Sequence, residues 1–304
     1  MRPKHAPFLR WAGGKRWIAG RIAPLLKPLI RGRYIEPFLG SGAMFFQMCP
    51  ERAVLGDLNH ELIDTYRQVR DHASKLEKAL RGISVDPYTY NEVKASQPTD
   101  AFDRAVRFIY LNRTCYGGLY RTNQRGIFNV PYGGGSRTHE RLYRDHLLIR
   151  ASAALRGEHI EIRHEDFEVL LDLAKAGDVA FCDPTYRSAG RGRFDRYGPN
   201  VFSWSDQQRL LTAAARAKSR GVVIVIMNID DPDVKALYRE AAAIVSVARK
   251  KSIGNPAKDS SWHQEIIALF GDGSQDWGEL VATGRTDSYL RGADEEVTEP
   301  ASVA

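Results

Sequence analysis

Val222-Val223-Ile224-Val225-Ile226-Met227 is an unbroken apolar run with no polar residue to set toward water. A strand of this kind is buried on both faces, which points to a parallel sheet covered by helices on either side. The rest of the chain keeps that rhythm. Tyr34-Ile35-Glu36-Pro37-Phe38 reads as a strand, Leu39-Gly40-Ser41-Gly42 as a tight loop, and residues 43–48 as the opening of a helix. Ala53-Val54-Leu55-Gly56-Asp57 is a second short strand, ending in an acid seventeen residues beyond Gly40. Further strands are expected at 160–162, 179–182, 244–249 and 265–270, with helices at 167–176, 205–220 and 232–242, giving about seven strands in one sheet. Ser203 or Ser205 is available as an N-cap for the helix at 205–220.

The rhythm stops between residues 58 and 150. Leu62, Ile63, Tyr66, Val69 and Leu76 follow the 3.6-residue period of a helix over 59–81. Residues 84–100, rich in Pro, Asp and Ser, read as a connector, and helices are expected at 101–113 and 141–155. Between them, residues 114–135 interleave arginine, glycine and aromatic side chains, as loops that enter a nucleic-acid groove do. The plainer reading is a glycine-rich β-hairpin covered by its own aromatics. The fold expected is thus α/β: residues 1–57 and 151–271 form the sheet domain, residues 58–150 are inserted, and residues 272–304 are an aperiodic, poorly ordered tail.

The loop after the first strand follows the nucleoside-binding logic of doubly wound sheets. Glycines admit a ligand close to the backbone, and the acid at the end of strand two, Asp57, accepts from ribose hydroxyls. Phe45 stands where the dinucleotide fingerprint needs its third glycine, so a cofactor without phosphates fits better than a nicotinamide, and S-adenosylmethionine (SAM) is such a cofactor. Phe8-Leu9-Arg10-Trp11-Ala12-Gly13-Gly14-Lys15 is not a phosphate loop, because the spacing fails and Arg16 replaces the needed Ser or Thr. It does place a cation, a ring and flexible backbone together, which suits an amino-acid or nucleoside ligand. Val179-Ala180-Phe181-Cys182-Asp183-Pro184-Thr185-Tyr186 is the other candidate. Asp183 and the flat ring of Tyr186 at a strand end can hold a planar, amino-bearing ring; alternatively the pair Asp183-Pro184 only makes a turn. The arginine- and glycine-rich stretch 187–197 that follows has the character of a flap.

Charge narrows the partner. The net charge is +7, with nine Lys or Arg and no acid from Met1 to Ile35, and nine Arg against Glu140 and Asp145 alone from Arg104 to Arg150. Segregated basic stretches are the footprint of a polyanion, and nucleic acid is the expected one. Cys49, Cys115 and Cys182 are odd in number and lack metal-ligand spacing, which fits a reducing cytoplasm without disulfides or a structural metal. No apolar run approaches the roughly 20 residues of a spanning helix, and no signal peptide is evident.

With these parts laid out, the sequence resembles the DNA adenine-N6 methyltransferases of the Dam type, from about Phe8 to Phe270. FLRWAGGK, EPFLGSG, LGD, YLNRTCYGGLYRTNQRGIFNVPYG, FCDPTY and EIIALF appear in family order. The resemblance implies a Rossmann-like SAM-dependent methyltransferase fold with a seven-stranded mixed sheet and an inserted, mostly helical target-recognition domain. It implies methylation of N6 of an adenine flipped from double-stranded DNA, with GATC as the leading site, by a cytoplasmic monomer that uses no metal. Trp11, Lys15, Phe38, Gly40 and Asp57, with Asp183, would hold SAM; Asp183, Pro184 and Tyr186 would be catalytic; Arg10, Tyr116, Leu119, Arg121, Asn129 and Pro131 would meet DNA. Three residues depart from the family pattern. Thr185 stands where proline is usual in the tetrad, Arg10 where lysine is common, and Gly117 where a polar side chain is often found. Methylation of RNA or of cytosine N4, or an inactive DNA-binding regulator on the same scaffold, are the alternative readings.

Overall fold

The computed structural model describes residues 5–123, 125–135, 137–185, 202–250 and 262–272. Seven strands form one sheet in the order β3-β2-β1-β4-β5-β7-β6: β1 (Tyr34–Glu36), β2 (Arg52–Asp57), β3 (His159–His164), β4 (Val179–Cys182), β5 (Val223–Ile229), β6 (Ala243–Lys250) and β7 (Trp262–Phe270). β1 to β5 run parallel, while β7 pairs antiparallel with both β5 and β6, so the sheet is mixed as expected. The apolar run lies near the centre, with β4 on one side and β7 on the other. Its period-2 alternation divides the core. Val225 and Met227 join one buried cluster and Ile224 and Ile226 the other.

The first cluster is built on α1 (Arg16–Leu26), α2 (Ala43–Met48) and α3 (His60–Arg81). Four further helices lie between β2 and β3 with α3: α4 (Pro87–Ala95), α5 (Ala101–Thr114), α6 (His139–Leu142) and α7 (Leu147–Leu155). α3 packs along β2 and β3 and also against α5 and α7, so it joins this helical region to the sheet. The second cluster is built on α8 (Phe167–Asp172), α9 (Trp204–Ser219) and α10 (Pro232–Leu237). Ser203 caps α9 in a reciprocal pair with Asp206, which settles the choice between Ser203 and Ser205.

Three expectations are corrected. The connector at 84–100 contains α4, started by the Asp86 cap and Pro87 in its first turn; it buries only Tyr90, so it shows no apolar period. The helix expected at 141–155 is broken, because His146 adopts a left-handed φ of 49° before α7. α10 ends at Leu237, well short of 242. Residues beyond 272, the expected tail, lie outside the described residues, and no helix among those described is long and apolar enough to cross a membrane.

Asp178 fastens β1 to β4 at their starts. Its buried carboxylate accepts from the backbone N–H of Arg33 at 2.7 Å and of Lys175 at 3.0 Å, and from the Arg33 guanidinium at 2.8 Å. With that end pinned, the opposite ends of the two strands face one crevice. Asp178→Ala leaves two N–H groups and a guanidinium without their acceptor, and is expected to cost about 3 kcal/mol of unfolding free energy. Urea denaturation measures it, and a loss below about 1 kcal/mol would show that Asp178 is not the fastener.

Candidate active site

Strand order reverses between β1 and β4, since β2 lies beyond one and β5 beyond the other. In open α/β sheets a ligand binds in the crevice at this switch point, outside the carboxyl ends of the strands. The loop leaving β1 is shaped by two left-handed glycines, Gly40 (φ 46°) and Gly42 (φ 65°). A side chain at 40 would begin 2.9 Å from the Trp11 ring, so only glycine lets the loop lie there. The Gly40 N–H donates to the Asp57 carboxylate at 3.0 Å, and the Tyr66 hydroxyl donates to the Gly40 carbonyl at 3.1 Å. The other Asp57 oxygen accepts from Asn59 N–H at 2.9 Å. Burial pushes the Asp57 carboxyl up, and the backbone N–H groups of Gly40, Asn59 and Leu58 pull it back. Each carboxylate oxygen retains acceptor capacity, as a ribose diol requires.

Lys15 is nearly wholly buried at the start of α1, where the helix dipole disfavours a cation. Its partners explain it. The ammonium pairs with Asp183 at 2.6 Å, donates to the Gly13 carbonyl at 2.7 Å, and has Glu265 of β7 at 3.7 Å. Pro184 is buried and Thr185 exposed, so no packing depends on a proline at 185. Tyr186 and the flap at 187–197 lie outside the described residues. Trp11 stacks on Tyr120 with centroids 5.8 Å apart and planes 10° apart, and the Tyr120 hydroxyl donates to Glu61 in the first turn of α3. Phe38 is instead engaged on the other side of the sheet, stacked on Phe167 at 5.3 Å and edge-on to Phe202 at 5.6 Å. Direct contacts thus join Lys15 to Asp183, and Gly40 to both Trp11 and Asp57, while Phe38 packs on Phe167 and Phe202.

Glu36 and Glu265 went unnoticed in the sequence. Glu36 ends β1 fully buried, accepting from the Tyr34 hydroxyl at 2.8 Å and the Phe45 N–H at 3.1 Å. Burial, with Asp183 and Asp57 nearby, lifts its carboxyl to about 8 against these two donors. Glu36 heads EPFLGSG and Glu265 heads EIIALF, and an acid inside an apolar strand is the signal that could have found each.

Residues 115–133 fold back on themselves through the bridges Cys115↔Tyr132 and Thr122↔Phe128. The hairpin reading and the groove reading each account for part of it. Phe128 and Val130 are buried and Tyr120 packs on Phe108, whereas Tyr116, Ile127 and Pro131 are exposed. Asn129 orients Arg121, accepting from its Nε at 2.9 Å, while Leu119 is half-buried against the core. Tyr116 N–H donates to the Pro131 carbonyl at 2.9 Å. Arg10 approaches this surface from the N-terminal segment, and Gly118 packs on its side chain. Beneath them Arg113 is buried, and burial together with the charges of Arg10, Arg16 and Arg144 brings its guanidinium down to about 9. A cluster of cations of this kind suits an anionic ligand.

Residues 11–253 match the D12 class N6 adenine-specific DNA methyltransferase family. A type II methyltransferase of Lactococcus lactis subsp. cremoris is 33% identical over 243 residues, covering 77% of this chain and 84% of that protein. A DNA adenine methylase of Serratia marcescens is 30% identical over 278 residues, 88% of this chain and 99% of its own length. A DNA N-6-adenine-methyltransferase of Escherichia phage P1 is 32% identical over 242 residues, 77% of this chain and 31% of its own.

Glu36 gives the site a pH signature. Its carboxyl titrates near 8 when folded against an ordinary 4.5, so the folded chain keeps a proton that the unfolded chain has lost. The stability it contributes is full below pH 4.5 and is lost as pH rises through 8. Glu36→Gln is expected to flatten this slope, of up to about 1.4 kcal/mol per pH unit, when melting is compared with the unsubstituted chain from pH 5 to 9. Parallel curves would rule the buried proton out.

Proposed function

The chain belongs to the D12 class of N6 adenine-specific DNA methyltransferases, and we propose that it methylates an adenine flipped out of double-stranded DNA, with SAM as donor. The observation that carries this reading is that Asp183, paired with Lys15, follows β4 while a nucleoside-type loop follows its neighbour β1, at the switch point of the sheet. Residues 58–150 serve as the DNA-recognition region, and residues 1–57 with 151–271 as the catalytic domain. The enzyme works as a monomer in the cytoplasm, on GATC or a related short site.

Asp57, with its spare acceptor capacity, Gly40, with no side chain to intrude, and Trp11 and Lys15 would hold the cofactor, bordered by Phe38 and Asp183. When bound, SAM supplies an activated methyl group. The chain's own residues then have a definite task. An adenine amino nitrogen is a poor nucleophile because its lone pair is delocalised into the ring. Asp183 accepts one amino hydrogen and the Pro184 carbonyl accepts the other, which favours a tetrahedral nitrogen with its lone pair free to attack. Catalysis is then positioning and electrostatics, without a covalent enzyme intermediate. Extruding the base costs a few kcal/mol, and stacking on Tyr186 would return about 1–3 kcal/mol of it. Thr185, being exposed, alters the stiffness of the turn and leaves the Pro184 carbonyl in place.

On the DNA side, Arg121, held by Asn129, is suited to a bidentate contact with guanine, and the fork of Arg10 to another. Tyr116, Leu119 and Pro131 form the surface between them, with Arg113 buried beneath.

Asp183→Ala is expected to abolish transfer of label from radioactive SAM to DNA while binding of both ligands persists; undiminished labelling would sink the assignment. Nucleoside analysis of the labelled product separates N6-methyladenine from N4-methylcytosine. Arg121→Ala is expected to lose about 1–3 kcal/mol of base discrimination. Equal weakening on specific and random duplexes would instead make Arg121 a phosphate contact.

A further inference from the structure

Asn112 lies in the last turn of α5, wholly buried. Its side-chain amide does for Arg10 what a neighbouring strand would do. The Oδ1 accepts from the Arg10 N–H at 2.9 Å, and the Nδ2 donates to the Arg10 carbonyl at 2.7 Å. The same Nδ2 lies 3.5 Å from the carbonyl of Gly118. The helix end does not need this side chain, because Cys115 N–H already bonds to the Leu111 carbonyl. Gly118 completes the arrangement. It holds a left-handed φ of 65°, and a Cβ built there would stand 2.4 Å from Arg10 Cβ and 2.7 Å from its Cδ. The stem of Arg10 therefore rests on bare backbone at Gly118 while its main chain is gripped from below. Two segments 102 residues apart in sequence meet at one amide.

We infer that Asn112 is a positioning residue for sequence discrimination. It sets the Arg10 guanidinium in register with the turn that carries Tyr116, Leu119 and Arg121, so that the base pairs read by Arg10 and by Arg121 are read together. Gly118 is the gauge of that register. This rests on the reading of Arg10 and Arg121 as base contacts given above. The inference is specific to geometry rather than charge: Asn112 touches no DNA, and it acts only through where it holds Arg10.

The test uses the full chain and the site mapped by long-read sequencing of DNA from cells expressing it. Initial rates of methylation are compared on a duplex with that site and on duplexes altered at one base pair, for Arg10→Ala, Asn112→Ala and Gly118→Ala. SAM binding and the melting midpoint are measured alongside. Arg10→Ala is expected to lower the kcat/KM ratio between correct and altered duplex by about tenfold or more at one outer base pair. Asn112→Ala and Gly118→Ala should lower the ratio at that same base pair, with SAM affinity retained and the ratio at other positions little changed. Loss of discrimination in Arg10→Ala, but in neither of the other two, overturns the inference and leaves Arg10 as a reader. No change in Arg10→Ala overturns the reading of Arg10 and this inference with it. Should Asn112→Ala fail to fold, Gly118→Ala, which keeps the amide, decides.

Discussion

One buried ammonium, that of Lys15, bridges two of the four acids at the edge of the sheet. Glu36, Asp57 and Asp183 stand at the carboxyl ends of β1, β2 and β4, and Glu265 enters the same edge from antiparallel β7. Four acids converging in a low-dielectric crevice repel one another unless each is answered. The structure answers them in three ways. Glu36 keeps its proton, Asp57 takes backbone N–H donors, and Asp183 shares Lys15 with Glu265. Asp183 is thereby matched by a cation, while Glu36 and Asp57 are held by donors of their own.

The surface formed by Arg10 and residues 115–133 depends on a different device. Its residues come from an N-terminal segment and from a region between β2 and β3. Asn112 and Gly118 tie them at Arg10, while Tyr120 ties them at Trp11. The aromatics of residues 114–135 divide accordingly: Tyr120, Phe128 and Tyr132 hold the turn, and Tyr116 is left exposed.

The sheet was legible because buried parallel strands write themselves as apolar runs, and the site's acids because they terminate those runs. Asp57 and Asp183 lie where the pattern puts them, and Lys15 is indeed at the crevice, although its partners in the structure are carboxylates. What escaped was what periodicity does not encode. α4 buries one tyrosine and so has no stripe; the break at His146 is a single backbone angle; α10 stops although nothing in its sequence forbids another turn. Asn112 and Glu265 each look like an ordinary polar residue in a regular element, and only their burial against distant chain segments gives them a role. Phe38 sits beside an acid and a glycine loop in sequence, yet it lies in the bend beyond β1, where its ring turns toward Phe167.

The contacts around Trp11 close into a circuit. Gly40 carries the indole edge, the indole stacks on Tyr120, Tyr120 bonds to Glu61, and Glu61 opens the helix that starts just after Asp57, which in turn holds Gly40. A closed circuit has no slack end. The separation between the nucleoside loop and the turn bearing Leu119 and Arg121 is therefore a matter of ring thickness rather than of loop length. Lengthening either connecting loop would leave that separation unchanged, whereas exchanging one aromatic ring for a thinner side chain would reset it.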